Sequence, residues 1–127
     1  PTVASLVEAS GNDAVVLPKM TFSCLRDEVL AHRIESLAAD GRKQIAVCGI
    51  ESHVCVLQTA LDLLEQEQWG VWLVTDACAS RTERNRDAAF DRLAGAGAEL
   101  VTTEMVLFEW LRSAEHPQFK AVQALIK

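Results

Sequence analysis

The sequence consists of short apolar runs separated by longer amphipathic stretches, and this alternation restricts its fold more than any other feature. The apolar runs are Ala14–Leu17, Ile45–Cys48, Val71–Val74 and the shorter, more polar Glu99–Thr102. Runs that are apolar throughout predict strands covered on both faces, as in a parallel sheet. The sequence therefore predicts a doubly wound α/β domain with four parallel strands and right-handed crossovers.

The stretches between the runs have helical spacing. Leu30, Ile34 and Leu37 fall on one helix face, and Gly41 follows where a left-handed C-cap is expected. Further helices are predicted around Val54, Leu57, Leu61 and Leu64, between Thr82 and Gly95, from about Glu104 to Arg112, and from Pro117 to Ile126. Since there is no linker, charge block or repeat, we expect residues 1–127 to form a single domain.

Charge and cysteine content exclude several classes of function. Twelve Lys and Arg against eighteen Asp and Glu give a net charge of −6, which disfavours nucleic-acid and anionic-membrane partners. No apolar run approaches the roughly 20 residues that span a bilayer, and no signal-like segment opens the chain, so we expect a cytoplasmic protein. The four cysteines form no C-x-x-C pair and are predicted to be free thiols, with no metal site.

The segment after the second apolar run carries the clearest chemistry, because ligands of open α/β sheets bind at the carboxyl ends of the strands. Ser52 is predicted to cap a helix, which places Cys55 in the first turn. There the free N–H groups and the helix dipole stabilise a thiolate, and the same N–H groups suit an oxyanion. The alternative is that Cys55 is a small buried hydrophobe, which is the commoner fate of a cysteine.

Three further residues follow predicted strands. Lys19 either points into the cleft and supports a charged thiolate or carboxylate, or is a solvated loop lysine, which is commoner. Phe22 either lines a substrate pocket or covers the core, and we favour the core. Asp76 is a candidate acid–base group, but a capping role suits its sequence context better.

Several of these segments together resemble a known family. Gly49–Val56, followed by Leu57–Ala60 and Thr75–Ala77, resembles the cysteine hydrolases of the isochorismatase-like superfamily, and most of all its isochorismatase domain-containing branch. The resemblance covers nearly the whole chain and implies a three-layer α/β/α, Rossmann-like fold. It also implies an Asp–Lys–Cys triad in which Cys55 matches the nucleophile and Lys19 the lysine. A cis peptide at Ile50–Glu51 and an oxyanion hole formed by the N–H groups of Glu51 and Cys55 are implied as well.

One element of the family pattern is missing. The family aspartate ends an opening strand in a pattern of the type apolar-apolar-Asp-x-Gln, and no such pattern precedes Lys19. Asp13 cannot substitute, because it precedes the first predicted strand and lies at the end away from the cleft. We therefore expect the domain to be incomplete at its N-terminus.

The resemblance implies hydrolysis of a small amide or related C–N bond through a thioester, without a metal or other cofactor. A catalytically silent oligomerisation or binding module is the alternative. Isochorismatase proper, which cleaves a vinyl ether by acid catalysis, is disfavoured because those relatives lack the nucleophilic cysteine. Since relatives associate through C-terminal helices, and Trp110 and Phe119 add aromatic surface here, we expect a homodimer or larger homo-oligomer.

Overall fold

A computed structural model describes residues 4–11 and 14–126. Helices alternate with strands along most of the chain, as the sequence predicts. In chain order the elements are α1 (Ala4–Ser10), a 3₁₀ turn (Cys24–Arg26), α2 (Glu28–Ala39), β1 (Gln44–Ile50), a π-helical turn (Ser52–Val56), α3 (Leu57–Glu65), β2 (Gly70–Ala79), α4 (Glu83–Gly95), β3 (Glu99–Val101), α5 (Thr103–Leu111) and α6 (Phe119–Leu125).

Within the described residues the sheet has three parallel strands in the order β1–β2–β3. The ladder between β1 and β2 is irregular near its carboxyl end. Val47 pairs with Leu73, but two residues later Gly49 pairs with Cys78. The extra residues of β2 bulge away from β1 here, and this edge of the sheet is where the sequence places the functional residues.

The prediction of a strand at Ala14–Leu17 is wrong. This segment has no regular structure, and Val15 and Val16 are each 61% exposed. An apolar run becomes a strand only where a neighbouring strand offers free backbone groups in register. In the described part of the chain the run pairs with no strand, although β1 is an edge strand with one free edge.

The predicted three-layer α/β/α architecture is confirmed. On one face of the sheet α3 and α4 pack on the strands, and Leu63, Leu73 and Leu93 are fully buried between the layers. On the other face α5 places Val106 against Val101 and its neighbours on β2 and β3. Each buried leucine contributes about 2 kcal/mol of transfer free energy, so these contacts stabilise the sheet on which the site is built.

The face of β1 opposite α3 is not covered within the described structure. Exposure alternates along the strand, with Ala46, Cys48 and Ile50 exposed and the residues between them half-buried. The expectation that every strand is covered on both faces is therefore wrong for β1. Beside this face lies a cavity of about 310 Å³ with Trp72 and Trp110 in its wall.

The total accessible surface is large for the size of the chain. It measures 8923 Å² for 13.9 kDa, whereas a compact monomer of this mass exposes about 6,700 Å². The excess of roughly 2,200 Å² includes the uncovered face of β1 and the 70% exposed side chain of Trp110.

Most helix ends match the sequence-based predictions. Gly41 adopts a left-handed conformation (φ 83°) directly after α2, and the Thr82 hydroxyl accepts a hydrogen bond from Asn85 N at the start of α4. The inward stripe predicted for α3 is displaced: Val56, Ala60 and Leu63 are buried, while Leu57, Leu61 and Leu64 are partly buried at the edge of the core. Among the described helices, none has the length and apolar character to cross a membrane.

Candidate active site

Cys55 lies in the turn that links β1 to α3. The Ile50–Glu51 peptide bond is cis, in agreement with the family resemblance, and a π-helical turn from Ser52 to Val56 follows. The Glu51 carbonyl accepts hydrogen bonds from Val54 N (3.0 Å) and Val56 N (3.3 Å). Cys55 is half-buried within this turn at the carboxyl end of the parallel strand. This is the location at which open α/β sheets bind ligands.

Ser52 does not cap the helix as predicted. Its side chain is completely buried, and the hydroxyl donates to the Ala79 carbonyl across the sheet at 2.9 Å. A helix N-cap requires a free side-chain oxygen aimed at the following N–H groups, but here Glu51 holds the N-terminal position without a side-chain cap. The hydroxyl instead satisfies a backbone carbonyl of β2.

Two residues beside Ser52 contact the segment that follows β2 and the start of α4. The Glu51 carboxylate accepts hydrogen bonds from Arg81 Nε (3.2 Å) and Arg81 N (3.4 Å), and the Arg81 side chain holds the pKa of this carboxyl below its usual value. His53 Nδ1 lies 2.9 Å from Ser80 Oγ, and its Nε2 lies 3.4 Å from the side-chain nitrogen of Asn85. These contacts span 27 to 32 residues, so local sequence patterns gave no signal for them.

Lys19 lies on an ordered loop that is attached to α3. Its ammonium donates to the carbonyls of Thr21 (2.8 Å) and Phe22 (2.9 Å). Further along the same loop, Cys24 N donates to Thr59 Oγ1 at 3.0 Å. Because Thr59 is one helical turn after Cys55, the loop reaches the neighbourhood of the candidate nucleophile, although the bonds of the ammonium itself are to its own loop.

Phe22 does not cover the core. Its side chain is 59% exposed, so the interpretation favoured from the sequence is wrong. The completely buried Ser23 beside it anchors the loop instead, accepting a hydrogen bond from Leu25 N at 3.1 Å. The polar neighbour is preferred at this position because its hydroxyl satisfies a backbone donor that burial would leave unpaired.

The four cysteines are free thiols, as predicted, and occupy different environments. Cys48 is exposed on the uncovered face of β1, and Cys24 and Cys55 are half-buried. Cys78 is buried, and desolvation raises the pKa of its thiol. On accessibility alone, Cys48 is therefore the most reactive of the four.

Asp76 lies within β2 and does not cap its own sequence neighbours; its contact is with the start of α5, whose N-cap is Thr102. Its carboxylate accepts hydrogen bonds from Thr103 N (2.8 Å) and Thr103 Oγ1 (3.1 Å) at the start of α5. Asp13 lies outside the described residues. Across residues 4–11 and 14–126, no cluster of three or more His, Cys, Asp or Glu side chains has the arrangement of a metal site.

The sheet, its covering helices and the cysteine in a strand-to-helix turn place the chain in the class of α/β proteins with a site at the carboxyl edge of a parallel sheet. Within that class, the isochorismatase domain model matches residues 2–105. The chain therefore belongs to the isochorismatase family, and the resemblance noted from Gly49–Val56 is confirmed.

Relatives and solved structures agree with this placement. The chain is 40% identical over 126 residues to isochorismatase domain-containing protein 2 of Xenopus laevis, covering 99% of this chain and 58% of the relative. The MAR1 ribonuclease structure from Caenorhabditis elegans superposes with a TM-score of 0.86 at 35% identity, covering 99% of this chain and 62% of that one.

A third similarity concerns assembly. The Escherichia coli ycaC gene product, described as an octameric hydrolase of unknown specificity, superposes with a TM-score of 0.83 at 29% identity. It covers 98% of this chain and 58% of that one. The chain thus spans about three fifths of the length of each of these three proteins.

Proposed function

We propose that this chain is a cysteine-dependent hydrolase that cleaves a small amide or related C–N bond through a thioester intermediate. Membership of the isochorismatase family supports a hydrolase. The observation that carries the cysteine mechanism is the position of Cys55, half-buried in the turn between the carboxyl end of β1 and α3. Backbone N–H groups at such a turn stabilise both a thiolate and the oxyanion that it creates.

In the proposed reaction the Cys55 thiol loses its proton to a base, and the sulfur attacks the amide carbon. The backbone N–H groups of Glu51 and Cys55 bind the resulting oxyanion. When the tetrahedral intermediate collapses, the C–N bond breaks and the leaving amine takes up a proton. Water then hydrolyses the thioester, which releases a carboxylic acid and restores the thiol.

Lys19 has a supporting role in this proposal. Its ammonium would hold the negative charge of the nucleophile and of a nearby carboxylate. The family aspartate that accepts the thiol proton has no counterpart before Lys19 in this sequence, so the proposal assigns Cys55 and Lys19 and assigns no residue as the base. The alternative is a catalytically silent module, which folds and binds partners with or without the Cys55 thiol.

Alkylation kinetics test the activated nucleophile. We expect iodoacetamide at neutral pH to modify Cys55 faster than Cys24, Cys48 and Cys78, measured by peptide mass mapping over time. Accessibility alone predicts the opposite order for Cys48 and Cys55. Modification of Cys48 before Cys55 would therefore exclude an activated nucleophile and favour the silent module.

A pair of lysine variants tests the second residue. Lys19→Ala should slow the modification of Cys55, because the ammonium no longer supports the thiolate. Lys120→Ala is the matched control, since Lys120 is an exposed lysine on α6. Equal rates in the two variants would remove Lys19 from the proposed site.

The proposed substrate is a small molecule and not a nucleic acid. The net charge of −6 opposes binding to a polyphosphate, although one structural neighbour is described as a ribonuclease. Incubation with single-stranded RNA should leave the RNA intact. The proposed reaction uses no metal or other cofactor. We also propose a cytoplasmic location. Phe22, exposed beside Lys19, is the proposed apolar contact for the substrate.

We further propose that the chain works as a homodimer or larger homo-oligomer. The aromatic side chain of Trp110, 70% exposed on α5, supports this. The octameric state described for the Escherichia coli neighbour supports it as well. A single monomeric species at micromolar concentration in light scattering would contradict it.

A further inference from the structure

The turn that carries Cys55 is attached to the end of β2 by three consecutive residues on each side. Ser52 donates to the Ala79 carbonyl (2.9 Å), His53 lies 2.9 Å from the Ser80 hydroxyl, and Glu51 pairs with Arg81 (3.2 Å). The two segments are separated by about 27 to 30 residues in sequence but lie against each other in the fold, and their pairing is crossed because Glu51 contacts Arg81 while Ser52 contacts Ala79. Here these two segments are called the clamp: Glu51–His53 and Ala79–Arg81.

We infer that the clamp fixes the direction of the oxyanion-binding N–H groups and that Ser52 is its main positioning residue. Ser52 is the innermost member: the residue has no exposed surface, and its bond to the Ala79 carbonyl is partly buried. The Glu51–Arg81 pair is outermost, and the Arg81 side chain is 69% exposed. Buried hydrogen bonds hold a geometry more firmly than exposed ion pairs, which water and salt weaken.

This inference rests on the proposed function, because positioning matters only if an oxyanion forms at the turn. Glu51 and Cys55, whose N–H groups bind the oxyanion in that proposal, lie immediately before and three residues after Ser52. A shift of the turn would misalign the donors while leaving the sulfur accessible. Displacements of about 1 Å at such a site cost on the order of 100-fold in rate.

Two reactions of Cys55 separate positioning from simple stability. Acetylation by p-nitrophenyl acetate passes through a tetrahedral oxyanion: a C–S bond forms, the C–O bond breaks, and p-nitrophenolate leaves. Alkylation by iodoacetamide displaces iodide and forms no oxyanion. We expect Ser52→Ala to slow acetylation of Cys55 on the order of 100-fold. Because alkylation forms no oxyanion, its rate should change less than about threefold.

Thr75→Val is the matched control. Thr75 Oγ1 donates to the Val101 carbonyl at 2.9 Å, so this variant also removes a side-chain bond to the backbone of a neighbouring strand, but outside the clamp. Its acetylation-to-alkylation ratio should equal that of the unmodified chain. If Ser52→Ala does not fold, the double variant Ser80→Ala/Arg81→Gln removes the two outer contacts instead. It should lower the ratio of the acetylation rate to the alkylation rate by about tenfold, because the turn is then misaligned less than in Ser52→Ala.

The outcomes are distinguishable. If the unmodified chain is not acetylated at Cys55, the proposed function fails, and with it the inference that the clamp positions the oxyanion-binding N–H groups. If the unmodified chain is acetylated but Ser52→Ala or the double variant keeps the same ratio, only the positioning role fails. An equal loss of both reactions, or the same loss in Thr75→Val, would show general loosening and would also overturn the inference.

Discussion

Replacing Trp110 by serine tests whether the uncovered face of the sheet is a contact between copies of the chain. Trp110 lies on α5 in the wall of the 310 Å³ cavity, and its side chain is 70% exposed. A tryptophan buries roughly 250 Å² at most, so about 170 Å² of apolar surface remains available for a partner. At 25 cal/mol per Å² this corresponds to at most about 4 kcal/mol.

The measurable effect is smaller than this ceiling, because ordering and imperfect packing oppose association. We expect Trp110→Ser to weaken self-association by about 2 kcal/mol, or about 30-fold in Kd, which is typical of a central aromatic contact. Sedimentation equilibrium over a concentration series measures this change. Val29→Ser is the control, since Val29 is 66% exposed on α2, away from the C-terminal helices, and does not line the cavity. An unchanged Kd for Trp110→Ser would refute the assignment of this face to the interface.

Two predictions concern stability. Leu63→Ala should lower the free energy of unfolding by about 3 kcal/mol, because it leaves a cavity where the side chain is fully buried. The control Leu125→Ala should change the free energy of unfolding by less than about 0.5 kcal/mol, because Leu125 is exposed. Equal urea midpoints for the two variants would contradict the core assignment of Leu63. The hydrogen bond from Arg26 lowers the pKa of Asp62. The carboxylate therefore stabilises the fold above the unfolded pKa of about 3.9, and this contribution is lost as the pH falls through the folded value. Asp62→Asn should accordingly be less stable than the parent at pH 7 and match it near pH 2; a difference that persists in acid would contradict the pairing.

Patterns that depend on near neighbours predicted much of this fold. The cores of β1, β2 and β3, and the helices that follow them, coincide with apolar runs and helical stripes. The run at Ala14–Leu17 failed because strand formation also needs a partner, which the run itself does not encode. The stripe on α3 was displaced because the chain enters this helix through a π-helical turn, which changes the rotation between successive residues.

The site was predictable in position but not in its supporting contacts. The position of Cys55 followed from local sequence, and the cis bond at Ile50–Glu51 followed from the family resemblance. Ser52 was misassigned because its hydroxyl is hydrogen-bonded to Ala79, 27 residues away. Serine suits a helix N-cap and a buried cross-strand donor equally well, and only the folded chain distinguishes the two.

The carboxylate of Asp76 joins the last part of β2 to the first residue of α5, the helix whose other end carries Trp110. A substitution at Asp76 would therefore remove the acceptor of Thr103 N and loosen the start of a helix that begins 27 residues later, although the Thr102 cap remains. In the described structure the Asp76 carboxylate accepts hydrogen bonds from Thr103 and from no residue of the candidate site, so such a variant would act on the position of α5. An activity assay alone would not distinguish this structural contact of Asp76 from a catalytic role, whereas a stability measurement would.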